Sequence, residues 1–223
     1  MRLTTLFFDL DETLYPRQNG VWEAIAERID RYMLEILHVH PADIYPLRTR
    51  LFQQYGTTLK GLQTVANVDA YHYLQYVHDI PIDRLLKPNS ALREALLRYP
   101  QRKVIFTNAD LPHAGRVIRA LGLEGCFEQV IDIHAIAPYC KPDPQAFKIA
   151  LEKSGNPAPE ECALLDDKLS NLAAARRLGM YTVLVGANGA ATGCDAAIDL
   201  LEDLPRVLDP LNPCPPRVAH GEE

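Results

Sequence analysis

Phe7-Phe8-Asp9-Leu10-Asp11-Glu12-Thr13-Leu14-Tyr15 is the stretch that decides the architecture of this chain. It sets two carboxylates, Asp9 and Asp11, directly after the apolar run Leu6-Phe7-Phe8, which reads as a buried β-strand. A parallel strand that ends in acidic residues delivers them to the carboxyl edge of its sheet, where open α/β folds place their ligand crevices. Two like charges so close together are costly unless a cation or a shared proton compensates them. A divalent metal is the first candidate.

Downstream of this strand the pattern divides the chain in three. Residues 16–88 contain no convincing strand. Between 21 and 37, Ile25, Ile29, Met33, Leu34, Ile36 and Leu37 recur at near-helical spacing among acids and arginines, and 41–55 and 68–78 read as further helices. Gly56-Thr57-Thr58-Leu59-Lys60-Gly61 reads as a loop between them, and Pro81 and Pro88 punctuate the return. From residue 89 helices (91–99, 113–121, 144–154, 169–178) alternate with strands (103–106, 129–132, 162–165, 181–185). That alternation implies an α/β fold, a parallel sheet with helices on both faces. Gly122 and Gly179 each follow a helix with arginine in its last turn, as helix stops do. We therefore expect a core domain of residues 1–15 and 89–204, a helical domain of 16–88, and a tail of 205–223. Five prolines fall in that last stretch, which reads as poorly ordered.

Composition excludes several classes. The 223 residues are 48% hydrophobic and 23% charged, an ordinary globular balance. The net charge of −6 and the absence of a Lys/Arg cluster argue against a nucleic-acid polymer as partner. No charged-then-apolar signal pattern opens the chain, and no apolar run approaches the roughly 20 residues that span a bilayer, so the expectation is a cytoplasmic protein without membrane contact. Cys126, Cys140, Cys162, Cys194 and Cys214 form no CxxC pair and read as reduced thiols. Cys140, next to Lys141, reads as a plain thiol lining a site rather than a nucleophile.

Three more strand ends or loops carry polar residues: Thr107-Asn108, Tyr139-Cys140-Lys141-Pro142-Asp143 and Asp166-Asp167. A parallel sheet aligns its carboxyl ends on one edge, so Asp9, Asp11, Thr107 and Asp167 can converge despite their separation in sequence. Alone, each pair is a helix cap or a turn, and Lys141 a surface lysine. Together they suit phosphoryl transfer. A carboxylate can accept the phosphoryl group as an aspartyl-phosphate, and a second can protonate the leaving oxygen and then activate water. Magnesium, which prefers oxygen ligands, offsets the repulsion between nucleophile and phosphate. A hydroxyl and a lysine supply donors to the phosphate oxygens.

Asp9-Leu10-Asp11-Glu12-Thr13, Thr107-Asn108, Lys141-Pro142 and Asp166-Asp167 resemble, in order and spacing, the four motifs of the haloacid dehalogenase (HAD) superfamily. The resemblance covers roughly residues 5 to 185. It implies a Rossmann-like parallel-sheet core with a helical cap inserted after the first strand. It further implies that Asp9 is the nucleophile, Asp11 the general acid/base, Thr107 the phosphate-binding hydroxyl with Asn108 beside it, and Lys141 the neutralising cation. Mg²⁺ would be held by the Asp9 carboxylate, the Asp11 backbone carbonyl and Asp167. Asp166 would stand behind these ligands, and Asn171 would support them. Asp11 favours a phosphatase or phosphomutase over a dehalogenase, which lacks an acid two residues after its nucleophile. Lys168 occupies a position where family members often carry serine, with little consequence expected.

Residues 9–15, 55–62, 86–88, 105–109 and 139–143 are similar to the pyrimidine 5′-nucleotidase branch, which hydrolyses nucleoside monophosphates such as UMP and CMP. The resemblance thus implies a 5′-nucleotidase acting on a small phosphorylated metabolite, as monomer or homodimer. The alternatives are a phosphosugar phosphatase or phosphoglucomutase-like enzyme and, with less support, a non-catalytic phosphate-binding regulator. His72, His78, His113 and His134 lack metal-like spacing and read as packing or surface residues. Tyr71, Tyr73 and Tyr76 read as partly core-facing, with room for one to stack on a base. Lys60 and Gly61 could approach the site from their loop.

Overall fold

The computed structural model describes residues 3–186 and 192–211. Six strands form one parallel sheet: β1 (Thr5–Phe8), β2 (Arg102–Phe106), β3 (Gln129–Ile131), β4 (Cys162–Asp166), β5 (Tyr181–Val185) and β6 (Ala196–Ile198). Their order across the sheet is β3-β2-β1-β4-β5-β6, with β1 hydrogen-bonded to both β2 and β4. Residues of β1 and β4 are buried throughout, which fits a parallel sheet covered on both faces and explains their unbroken apolar character. The chain steps outward from β1 on either side, so the carboxyl ends of β1, β2 and β4 stand side by side at the centre. This is the switch point at which such sheets form their crevices.

Only helices lie between β1 and β2 among the strands and α-helices: α1 (Val21–Glu35), α2 (Pro41–Tyr55), α3 (Thr58–Ala66), α4 (Ala70–Val77), α5 (Ile82–Leu85) and α6 (Ser90–Leu97). α1 packs against α4, and α2 against α3. Four helices alternate with the later strands or follow them: α7 (Leu111–Ala120), α8 (Pro144–Lys153), α9 (Leu169–Arg177) and α10 (Leu204–Leu208). Gly122 and Gly179, beyond α7 and α9, both take positive φ. No described helix is long and apolar enough to cross a membrane.

The structure differs from the sequence expectation at three places. Residues 58–66 are a helix rather than a loop, and they carry Lys60 and Gly61 within it. Thr57 caps this helix by accepting the Lys60 N–H at 3.0 Å, which supplies the start signal. Gly61, which reads as a breaker, instead permits close packing: a Cβ there would lie 2.6 Å from Leu51 Cβ. β6 is short and alanine-rich, with little β-propensity of its own, and Thr182 and Asp195 brace its start through a 2.6 Å hydroxyl–carboxylate bond. The stretch from 205 was expected to be poorly ordered, yet it opens inside α10. Pro205 sits in the first turn, where a missing N–H costs nothing. Leu204 and Leu208 are buried, and Asp209 accepts from Tyr99 Oη at 2.7 Å. The remainder of that stretch, 212–223, lies outside the described residues, as does Cys214.

Gly61 offers a test in which two effects oppose each other. Helix propensity alone favours Gly61→Ala by about 1 kcal/mol, whereas overpacking a filled contact costs about 1–3 kcal/mol. With backbone-borne Leu51 Cβ only 2.6 Å away, overpacking wins. Gly61→Ala should lower the urea midpoint of unfolding, and Gly61→Val should lower it further.

Candidate active site

Asp9 follows β1 directly, and its N–H donates to Leu165 O of β4 at 2.9 Å, pinning it between two strands. Its side chain is 7% exposed and meets Lys141 Nζ at 2.9 Å. The same ammonium reaches Asp166 Oδ2 at 2.7 Å and lies 5.1 Å from the centre of the Phe106 ring. Lys141 comes from the loop before α8, and Asn108 fixes that loop. The Lys141 N–H donates to Asn108 Oδ1 at 2.8 Å, and Asn108 Nδ2 donates to Lys141 O at 3.0 Å. The Asn108 amide is thereby committed to placing Lys141. Thr107, at the end of β2, is buried, and its Oγ1 accepts the Ala109 N–H at 3.0 Å.

Asp166 is fully buried and saturated. It accepts from Asn171 Nδ2 at 2.9 Å on both oxygens and from the Lys168 N–H at 2.9 Å, besides Lys141. Asp167 is different: its Oδ1 is buried without a hydrogen-bond partner among the described residues, and Lys168 Nζ stands 3.9 Å from it. Oxygens of Asp9, Asp166 and Asp167 all lie within 4.8 Å of one another. Burial pushes Asp167 up to about 8 against the nearby Lys168, with the charges of Asp9 and Asp166 adding to the rise. Burial raises Asp9 too, against the pull of Lys141 and with Asp166 adding to the rise. Burial also opposes the Lys141 charge, but Asp166 and Asp9 outweigh it and hold the ammonium above the usual lysine range. Fully ionised, the three carboxylates would carry two negative charges more than the one buried ammonium between them offsets, and one buried oxygen is left bare. This arrangement fits a divalent cation with oxygen ligands.

Asp11 faces elsewhere. Its Oδ1 accepts from Tyr15 Oη at 2.5 Å and from His113 Nε2 at 2.8 Å. Burial works against its ionisation, yet His113 and Tyr15 outweigh burial and keep Asp11 well below the usual carboxylate range. Its carboxylate is not among the three that cluster.

His113 and Tyr15 are the residues that sequence reasoning missed. In the sequence His113 reads as a packing residue because no other ligand stands at metal-like spacing from it. The usable signal was its place in the first turn of α7, three residues after the capping Asp110 and six after Thr107, with its N–H donating to Asp110 Oδ1 at 3.2 Å. Tyr15 lies four residues beyond Asp11 in a turn that folds back on it. Cys140 is a plain thiol: burial pushes it up, and Sγ contacts Tyr55 O at 3.6 Å.

A cavity of about 310 Å³ opens over Asp9, Asp11, Thr107 and Lys141. Its far wall comes from the helices between β1 and β2, with Trp22, Ile25, Phe52, Leu59, Tyr73 and Leu74. Tyr73 is thus the cavity tyrosine. Tyr71 is exposed and stacks on His134 at 3.9 Å, and Tyr76 lies under the Arg28 guanidinium at 4.0 Å. Gly56, at φ +83, a conformation that few side-chain-bearing residues adopt, seats the end of α2 on the Lys141 loop: an added Cβ would lie 3.2 Å from Pro142 Cδ and 3.3 Å from Lys141 O.

The comparisons with known proteins agree with this geometry. A family model described as haloacid dehalogenase-like hydrolase matches residues 3–179. The chain is 29% identical over 192 residues to Phosphate metabolism protein 8 of Saccharomyces cerevisiae, covering 80% of this chain and only 60% of that relative. It is 29% identical over 204 residues to Glyceraldehyde 3-phosphate phosphatase of Pyrococcus furiosus, 82% of this chain and 80% of the relative. Among solved structures, the magnesium-bound HAD-hydrolase YfnB of Bacillus subtilis superposes with a TM-score of 0.62 at 17% identity, over 94% of this chain and 100% of that one. At such identity the likeness speaks to fold alone. With most of its length matched by the family model, and with an acid, hydroxyl and lysine constellation at the centre of its sheet edge, the chain belongs to the haloacid dehalogenase-like hydrolases.

Proposed function

We propose that this chain is a Mg²⁺-dependent phosphomonoesterase that works through an aspartyl-phosphate on Asp9, with nucleoside 5′-monophosphates of the pyrimidine class as substrates. The observation that carries the phosphatase reading is the division of labour between the two acids of the first motif. Asp9 is aligned by Lys141, and Asp11, two residues on, is held by a separate pair of donors. Environments that differ this much assign different roles to neighbouring carboxylates. Asp9 attacks phosphorus, and the electron pair of the broken P–O bond leaves with the alcohol oxygen. Asp11 takes up a proton as the phosphate charge arrives beside it and gives it to that oxygen. Lys141 and the Thr107 hydroxyl hold the phosphate oxygens. In the second half, Asp11 receives a proton from the attacking water and Asp9 is restored.

Asp9, Asp167 and the Asp11 backbone carbonyl would hold the ion, with Asp166 locking Lys141 behind them. When bound, Mg²⁺ offsets the repulsion between Asp9 and an incoming phosphate dianion. The bare Asp167 Oδ1 supports this reading, as does the magnesium seen in the Bacillus subtilis neighbour. The two phosphate-related relatives support a small phosphorylated substrate.

The helical segment, read as a cap, supports the nucleotide. Its wall of the cavity is mainly apolar and aromatic, while the charged groups gather on the sheet side. A flat base can bury its faces against Trp22, Phe52 and Tyr73, whereas a phosphosugar has no flat apolar face to set against these rings. Gln53, Thr57 and Thr58 supply polar edges for base recognition. The alternative, a phosphosugar or other phosphotriose-scale substrate, draws on the name of the Pyrococcus furiosus relative.

Asp9→Asn should abolish turnover of p-nitrophenyl phosphate with Mg²⁺ present, by roughly 10⁴-fold or more, with an unchanged circular dichroism spectrum. Residual activity near wild type would reject Asp9 as nucleophile. Across a panel of nucleoside and sugar monophosphates, kcat/KM should be highest for UMP and CMP, and a flat or sugar-preferring profile rejects the nucleotide while leaving the phosphatase. Metal binding is read separately by melting temperature. Because Asp167 is raised to about 8 in the metal-free fold, the stability its neutral form contributes is present below about pH 4 and lost as pH rises through about 8. Mg²⁺ displaces that proton, so the ion should raise Tm more at about pH 8 than at about pH 6. Asp167→Asn should remove most of the rise.

A further inference from the structure

Two imidazoles stack beside the site. The ring of His113, wholly buried, lies 4.1 Å from that of His78 at an interplanar angle of 19°. Each ring has its own carboxylate: His113 Nε2 meets Asp11 Oδ1 at 2.8 Å, and His78 Nδ1 meets Asp110 Oδ1 at 2.8 Å. Asp110 Oδ1 also accepts the His113 N–H at 3.2 Å, so one carboxylate fixes both histidines. Arg116, from α7, donates to His78 O. His78 ends α4, in the segment between β1 and β2, whereas His113 and Asp110 belong to the start of α7 on the sheet side. The stack therefore runs from the helical segment to Asp11.

The hydrogen bonds on Asp11 are one-sided. Tyr15 Oη and His113 Nε2 both converge on Oδ1, and Oδ2 receives no donor from the described residues. An anchored Oδ1 fixes the plane of the carboxylate and aims Oδ2. A donor pair on the far oxygen suits a group whose near oxygen has to accept a proton.

We propose that His113, buttressed by the His78–Asp110 pair, is a positioning residue that aims Asp11 Oδ2 at the water that hydrolyses the aspartyl-phosphate. The inference rests on the phosphatase reading above. In this step the water oxygen forms a bond to phosphorus, and the P–O bond to Asp9 breaks with its electron pair returning to the Asp9 carboxylate. The water proton passes to Asp11 Oδ2, inorganic phosphate leaves, and with the aryl ester Asp11 then releases that proton to solvent. The preceding transfer from an aryl ester needs no proton from Asp11, because p-nitrophenolate is a stable leaving group. Losing the aim of Asp11 therefore slows the second half alone.

The test is steady-state and single-turnover kinetics with p-nitrophenyl phosphate and Mg²⁺ on four proteins: wild type, His113→Ala, His113→Asn and His113→Gln. Gln can place an amide N–H where Nε2 stands, while Asn falls short of it, so this pair carries the test even where the Ala variant fails to fold. In His113→Ala and His113→Asn, kcat should fall by about 10²-fold. KM should fall in parallel, because kcat/KM reports only the steps through release of p-nitrophenolate. A rapid burst of about one p-nitrophenolate per enzyme should precede the slow phase, with a phosphoryl adduct visible by intact mass. His113→Gln should recover most of kcat and suppress the adduct. His78→Ala should show the same signature to a smaller degree. A kcat/KM that falls together with kcat, an unchanged kcat, or Gln no better than Asn overturns the positioning role while Asp9-dependent turnover by wild type leaves the phosphatase standing. A wild-type protein inert towards the ester overturns both.

Discussion

Lys141 is a fully charged ammonium with almost no access to water, bridging Asp9 at 2.9 Å and Asp166 at 2.7 Å. Burying a charge is tolerable only when it is paired and its partners are themselves satisfied. Much of the surrounding structure answers that condition. Asn108 clamps the Lys141 backbone from the end of β2, Phe106 presents its ring beneath the ammonium, and Asn171 with the Lys168 N–H fills the remaining valences of Asp166. Removing Lys141 itself would leave Asp9 and Asp166 buried without their shared cation, a loss of about 3–5 kcal/mol for pairs of this kind. The three strand ends are thus held together electrostatically as well as by the sheet. An ion pair of this type contributes little net stability, so its value lies in fixing where the Asp9 oxygens point.

The same sheet edge keeps the two acids of the first motif apart in behaviour. Asp9 and Asp11 are two residues apart, and an extended strand would put them on the same face. The chain instead leaves β1 at Phe8, and a turn in which Glu12 takes positive φ brings Tyr15 back onto Asp11. Asp9 is left facing Lys141 and the other acids. Asp11 meets neutral or cationic donors and settles well below the ordinary carboxylate range, while burial and Asp166 push Asp9 above it. Local backbone geometry points the two carboxylates apart, and distant residues, Lys141 for Asp9 and His113 for Asp11, complete the separation.

This division also explains what could be read from the sequence and what could not. The apolar runs of β1, β2, β4 and β5 declare themselves because parallel strands are buried on both faces, and the polar residues at their ends follow from sheet topology. Asp9, Thr107, Lys141 and Asp167 were legible because each sits at such an end or in a loop above it. α3 was hidden because its glycine is selected for contact with Leu51 rather than for helix formation, and α10 because Pro205 occupies the one turn that tolerates it. His113 was hidden for another reason. Its significance depends on Asp11, 102 residues away, and on a stacking partner from a different part of the chain. Pairings of that kind leave no periodicity.

The helices between β1 and β2 touch the chemical groups at two separate points. At one, Gly56 lies against Lys141 O and Pro142, where an added Cβ would crowd both at 3.2–3.3 Å. At the other, His78 stacks on His113, which in turn holds Asp11. The first contact bears on the cation paired with Asp9, and the second on the histidine bonded to Asp11. Between them lies an apolar wall that contributes no charge but removes water from above the sheet edge. Excluding water strengthens each of these electrostatic contacts. A shift of the helical segment would loosen both contacts and admit solvent at the same time. Cavity shape and the placement of the charged groups are therefore physically coupled, because the apolar wall is continuous with the residues that hold Lys141 and His113 in place.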